Sequence, residues 1–294
     1  MASALLAGAC SPPDPARHDP TVERRDPDDP TVRVASFDFA ESELLGELFA
    51  TALERAGVPV ERIPGLGSRE IVAPALQQGM VDVVPEYLAA ALDFELLGAG
   101  VPFSVRELTR RLSSELDDDG VTVLPHAPAI DRDAIAMLSD RAEQLGIEEV
   151  ADLAEHAEDL DFVGPSECQE RESCLPRLED EHGLEFRSFT GVPPGIAVAL
   201  ALAAGEADVG LIFSTDPLVQ QHDLVLLDEP TGRPEHVVPL VRDEILRRHG
   251  AVVAATLGRV TRALTTDELV SMNHRVAQGE PMPAVVRDWL DGLQ

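Results

Sequence analysis

Two stretches of this chain, "IVAPALQQGMVDVVPEY" at 71–87 and "GIAVALALAAGEADVGLIFSTD" at 195–216, follow one order: a helical apolar segment, a glycine, an acid, a short apolar strand, an aromatic residue and another acid. Helix 196–204 takes the part of helix 71–78, Asp208 that of Asp82, and Phe213 falls where Val84–Tyr87 fall. A helix that returns the chain to a new buried strand implies parallel strands with helices on the sheet faces. Its duplication predicts two similar α/β halves. Open sheets of this kind hold ligands at the carboxyl ends of their strands, so both strand ends point to a cleft.

The segments between agree. "TVRVASFDF" (31–39) alternates as a strand, and "ESELLGELFATALERAG" (41–57) has helical period closed by Gly57. "VPVERIPG" reads as a strand and Ser68 opens the helix before Gly79. Residues 104–120 predict a helix, 121–129 and 134–140 strands, and 150–160 a short helix. A second series follows from "DFVGP" through "LEFRSFT" to "ADVGLIFSTDP", and the tail from about 243 is helical.

The formal charge is −31, and every basic residue apart from the histidines is an arginine. Such a surface excludes nucleic acid and anionic membrane as partners, since both require a basic face. Leu5–Cys10 resembles the lipobox of bacterial lipoproteins, which predicts a lipidated Cys10; the usual charged start and long apolar stretch are missing, so a chance match is the other reading. Residues 11–30, rich in Pro, Asp and Arg, have the composition of a disordered tether. Cys168 and Cys174 in "PSECQERESCLP" suit a small disulfide loop in an oxidising compartment, with two free thiols as the other reading. The local sequence offers no further Cys or His for a metal.

Taken together, "VRVASFDFAESELLGELFATALERAG", "LGSREIVAPALQQGMVDVVPEY", "IFSTDP", the "PSEC…C" loop and the "LTTDELVSMNHRV…WL" ending resemble the glycine betaine/choline class of ABC-transporter substrate-binding proteins. These are type II periplasmic binding proteins. The resemblance covers residues 31–294 and implies a two-lobed α/β fold, each lobe a mostly parallel sheet flanked by helices. Lobe 1 would comprise 31–134 plus 236–294, and lobe 2 would comprise 135–235, after a tether at 1–30. It implies a receptor that closes on a quaternary ammonium solute and presents it to a membrane permease, without a cofactor; Cys10 and the tether make the expected protein extracytoplasmic and lipid-anchored.

Aromatic faces recognise a trimethylammonium head, which has diffuse charge and no donors. Tyr87, the one tyrosine in the chain, is then a cleft wall; the alternative is a tyrosine packed under a loop with its hydroxyl satisfied. Residue by residue, the resemblance assigns Phe37, Asp38, Phe39, Ser42, Tyr87, Asp133, Phe213, Thr215 and Asp216 to the ligand. The chain departs from the usual pattern at several of them. Asp38 and Asp133 stand where amides are usual, Ser42 where a Gln is usual, and Leu88, Ala89 and Ala90 where Thr-Gly-Thr is usual. The loop "GVPPG" (191–195) lies where a Gly-rich ligand loop is expected.

The two extra acids point to a net cation such as choline over zwitterionic betaine; solvation, helix capping or pairing with Arg132 or Arg69 are the other uses open to them. Arg69 and Glu47 read as surface or framework residues. No Gly-x-Ser-x-Gly, His-Glu-x-x-His or phosphate-loop pattern occurs, so the sequence predicts a binding protein rather than an enzyme.

Overall fold

Strands that alternate with helices carry the chain through one five-stranded sheet, out into a second, and back. The computed structural model describes residues 29–96, 104–171, 174–228 and 235–293; Cys10 and the tether-like stretch up to residue 28 lie outside them. The first sheet is entered through β1 (Val32–Phe37), α1 (Ala40–Arg55), β2 (Val60–Gly67), α2 (Arg69–Gln77), β3 (Val83–Tyr87), α3 (Leu88–Glu95), α4 (Val105–Leu116) and β4 (Val121–Val123). The second comprises β5 (Asp133–Leu138), α5 (Ser139–Leu145), β6 (Asp161–Gly164), α6 (Leu175–His182), β7 (Ser188–Gly191), α7 (Ile196–Ala203), β8 (Val209–Phe213), α8 (Leu218–Gln221) and β9 (Leu224–Leu226). The chain returns as β10 (Val237–Arg242) and ends in α9 (Asp243–His249), α10 (Ala251–Ala263), α11 (Thr266–Ala277) and α12 (Met282–Gly292).

Strand order is β2-β1-β3-β10-β4 in one sheet and β7-β6-β8-β5-β9 in the other. In the first, β1 pairs in parallel with β2 and β3, while β10 is antiparallel to both its neighbours. In the second, β6 pairs in parallel with β7 and β8, and β5 is antiparallel to β8 and β9. Each sheet is thus parallel but for one reversed strand, and that strand is the one by which the chain crosses between the sheets. An antiparallel bridge between Ile130 and His236 sets the two crossings side by side.

The repeat seen in the sequence has a matching hydrogen-bond signature. The Arg33 N–H donates to Asp82 Oδ2 at 2.8 Å, and the Asp161 N–H donates to Asp208 Oδ2 at 3.1 Å. In return the Asp82 and Asp208 N–H groups donate to the carbonyls of Arg33 and Asp161. Each acid therefore pins the strand it opens to the start of the neighbouring strand. Tyr87 and Phe213 are the last residues of the equivalent strands β3 and β8.

α1 buries Leu44, Leu45, Leu48, Phe49, Ala52 and Leu53 against the first sheet, the face its period predicts. In the second sheet, alternate residues face opposite cores: Ile135, Met137 and Phe162 one way, Ala136 and Val163 the other. α7 packs closely there because Gly210 has no side chain; a Cβ would lie 2.9 Å from both Val163 and Val198.

Three elements differ from the sequence expectation. The strand expected over 121–129 stops at Val123, because Pro125 has no N–H for the ladder; the chain rejoins β10 through the Ala127 N–H on the Val237 carbonyl at 2.8 Å. The helix expected over 150–160 is two 3-10 turns, Val150–Glu155 and Ala157–Asp159. Its buried residues fall at i and i+3 (Val150 and Leu153, Ala157 and Leu160), the repeat of a 3-10 turn. The strand expected from "LEFRSFT" begins only at Ser188.

Cys168 and Cys174 are joined by a disulfide, with their Cα atoms 5.2 Å apart. Among the described residues, no helix is long and apolar enough to cross a membrane.

Candidate functional site

The carboxyl ends of β1, β3 and β8 converge on a cluster of four rings. Phe37 ends β1 and lies parallel to Phe39 at 5.9 Å between centroids. Phe39 also meets Tyr87 at 6.0 Å and, across the two sheets, Phe213 at 5.1 Å. The reversed strand β5 begins at this same edge, where Asp133 is the register partner of Phe213. Tyr87 and Phe213, matched by the repeat, thus both pack on Phe39, and Tyr87 is 6% exposed with its hydroxyl on Glu41.

Charge is concentrated directly behind the rings. Arg69, at the start of α2, lies with its guanidinium 5.2 Å over the Phe37 ring. It donates to both Glu86 oxygens, Nε at 2.8 Å and the second prong at 3.1 Å, and Glu86 in turn accepts the Tyr87 N–H at 2.7 Å. Burial disfavours the charged guanidinium, but Glu86 outweighs it and the Arg69 pKa is raised. Arg69 is therefore not a surface residue: Glu86, buried at the end of β3, draws it inward, and the pair acts as framework behind the rings. Glu47 does keep to the periphery, paired with Arg62 at 2.6 Å.

A second acidic group lies under Tyr87. Glu41, on the first turn of α1, accepts a hydrogen bond from the Tyr87 hydroxyl at 2.7 Å on Oε1. Its Oε2 accepts from the Thr215 hydroxyl and from Asn273 Nδ2 on α11. Asp131, at the crossover into β5, accepts from the Thr215 N–H and the Ser214 hydroxyl, each at 3.2 Å. Burial raises the Glu41 pKa against the pull of these hydrogen bonds. Burial, and then the charge of Glu41, push Asp131 well above the usual carboxylate range.

The remaining expected residues are distributed as follows. Asp133 is half-buried and its pKa is raised by burial, against the opposing charges of Arg171, Arg69 and Arg177. The Asp216 pKa is raised by burial, and its Oδ1 accepts the Leu218 N–H at 2.9 Å in the turn that leads into α8. Gly195, with φ +80°, brings the "GVPPG" loop beside Asp216. Asp38 is exposed; its backbone N–H donates to the Gly67 carbonyl. Ser42 is fully buried, and its hydroxyl accepts the Phe37 N–H at 2.9 Å, so it braces the loop from within. Thr215 is buried on Glu41.

Sequence reasoning left out Glu41, Arg69, Asp131, Asn273 and Glu235. Glu235 accepts the Ala89 and Ala90 N–H groups at 3.0 Å each, at the start of α3, and burial pushes it up to about 8. One signal was available: Asn273 is the only asparagine in the chain.

The model for the substrate-binding domain of ABC-type glycine betaine transport systems matches residues 30–292. The chain belongs to this family. It is a family of solute-binding domains rather than of enzymes. Among its relatives, the glycine betaine-binding protein YehZ of Escherichia coli (strain K12) is 27% identical over 275 residues, spanning 88% of this chain and 89% of that protein. The ergothioneine transport permease/ergothioneine binding protein EgtU of Helicobacter pylori (strain G27) is 24% identical over 267 residues, covering 88% of this chain and 47% of that longer protein.

The fold is that of the type II periplasmic binding proteins. A solved glycine betaine/carnitine/choline ABC transporter structure superposes with a TM-score of 0.72 at 21% identity, covering 89% of this chain and 98% of that one. A choline binding protein in complex with choline superposes at 0.66 and 16% identity, covering 88% and 87% of the two chains.

Proposed function

We propose that this chain is the extracytoplasmic receptor of an importer, that it captures a quaternary ammonium solute of the choline or glycine betaine type between its two sheets, and that it hands the solute to a permease without chemical turnover. The observation that carries this reading is the ring cluster at which Phe39 meets Tyr87 from its own half and Phe213 from the other. Faces of this kind each contribute roughly 0.5–2 kcal/mol to a desolvated onium. Asp133, half-buried beside Phe213, adds negative charge whose desolvation a bound cation would offset. That acid, where relatives usually have an amide, favours choline over betaine. The YehZ and EgtU names support a small onium ligand in general. The Leu5–Cys10 lipobox-like residues support anchoring through Cys10, which mass spectrometry of the membrane-associated protein tests.

The ligand reading is tested by a thermal-shift screen of choline, glycine betaine, carnitine and ergothioneine, followed by isothermal titration. A ligand that binds only the folded form raises the melting temperature by mass action. Choline is expected to give the largest shift. Tight betaine binding without choline binding defeats the choline preference, and no response to any of the four defeats the onium reading.

A further inference from the structure

We propose that Glu41 is a positioning residue that ties the orientation of the Tyr87 ring to the seating of the second sheet against the first. The proposal rests on the reading that the ligand faces Tyr87. Glu41 is 6% exposed, and its two oxygens serve different parts of the molecule. Oε1 holds the Tyr87 hydroxyl, at the end of β3 in the first sheet. Oε2 holds the Thr215 hydroxyl, two residues past the end of β8 in the second sheet. Asn273 of α11 steadies the junction by donating to the same Oε2 and to the Thr215 carbonyl at 3.4 Å.

Thr215 is itself held on the crossover. Its N–H is on Asp131, the Ser214 N–H is on the Arg132 carbonyl at 2.9 Å, and the Arg132 N–H is on the Ser214 hydroxyl. Any movement of β8 away from β3 must therefore draw Thr215 off Glu41 or strain the crossover. With Thr215 in place, both Glu41 oxygens are occupied and the phenol is fixed. A phenol that donates to a carboxylate also carries more electron density on its ring, which strengthens its attraction for an onium.

Titratable groups facing this junction are Glu41, Asp131 and Tyr87, with Asp133 beside Asp131 and Glu86 behind Tyr87. The bonded neighbours Tyr87, Thr215 and Asn273 are neutral; burial raises the Glu41 pKa, and burial together with the charge of Glu41 raises that of Asp131.

Because Tyr87 is the one tyrosine, replacing tyrosine with 3-fluorotyrosine gives a single fluorine resonance from this ring. Thr215→Val removes the hydroxyl at constant shape, and in the ligand-free protein it is expected to move that resonance. Thr215→Ser is expected to return it to the wild-type position. Choline affinity is expected to fall about tenfold in Thr215→Val and in Glu41→Gln, the worth of one hydrogen bond to a charged group, and no further in the double variant. An unmoved fluorine line in Thr215→Val, failure of Thr215→Ser to restore it, or additive losses of about a hundredfold would each overturn the proposal. If the wild type binds no choline, the functional reading has failed, and the ligand-free fluorine comparison still decides the linkage.

Discussion

Glu86 receives three N–H donors: two from the Arg69 guanidinium, at 2.8 and 3.1 Å, and the Tyr87 backbone N–H at 2.7 Å. The pair thereby fixes the backbone from which the Tyr87 ring projects. Removing one partner of a buried pair strands the other charge, at a cost of about 3–5 kcal/mol. Arg69→Met is expected to lose that much in urea unfolding, and Arg69→Met/Glu86→Leu to regain most of it. Arg110→Ala, which removes an exposed pairing with Glu107, is expected to cost less than about 1 kcal/mol. Equal losses at the two positions would mean that the Arg69 pair is solvated.

Phe39 is the ring that touches all the others. Phe39→Ala and Phe213→Ala are each expected to weaken choline binding by roughly 2- to 30-fold in isothermal titration, the range of one aromatic face. Phe162→Leu, in the core under the second sheet, is expected to lower the melting temperature and leave the affinity alone. An affinity that survives both ring deletions would place the onium elsewhere.

Asp133→Asn replaces the carboxylate by a neutral amide of nearly the same shape. The ratio of choline to betaine affinity is expected to fall in this variant, because the onium loses its counter-charge while a ligand carboxylate loses a repulsive neighbour. An unchanged ratio would show that Asp133 spends its charge on Arg171 and Arg69 alone.

Glu235 makes stability depend on pH. Burial pushes its carboxyl from the ordinary 4.5 up to about 8, against the Ala90 N–H and the charge of Arg69. Between those values the folded chain keeps a proton that the unfolded chain has released. The stabilisation is complete below about pH 4.5 and is lost as the pH rises through about 8. Glu41, Asp131 and Asp133, also raised, act in the same direction, so the comparison that isolates Glu235 is wild type against Glu235→Gln. The Gln carbonyl can accept the Ala89 and Ala90 N–H groups as the neutral acid does. The melting temperature of the variant relative to wild type is expected to climb between pH 5 and pH 9. A constant difference would mean that Glu235 titrates in the ordinary range.

The fold was readable because its rules are local. The glycine, acid and apolar run that place Asp82 and Asp208 recur within short windows, and the two acids make the same backbone bonds. The Tyr87 and Phe213 strand ends were readable for the same reason. The polar half of the site was not. Glu41 depends on Asn273, 232 residues away, and on Thr215, 174 residues away. Arg69 follows a helix cap and has the look of a solvated first-turn residue; only the buried carboxylate at the end of β3 turns it inward. Ser42 shows the converse. Its place in the family pattern suggested a ligand contact, while the Phe37 N–H uses its hydroxyl.

The single reversed strand in each sheet has a consequence for biosynthesis. β10 fills the slot between β3 and β4, and α10 and α12 then pack on α1. As the polypeptide emerges from the ribosome, the later-encoded sheet can be completed while the earlier one still lacks its fourth position. The β3 edge must stay unpaired until residue 237 has been translated, which makes that nascent edge the point where a truncated or stalled product would recruit a chaperone or aggregate.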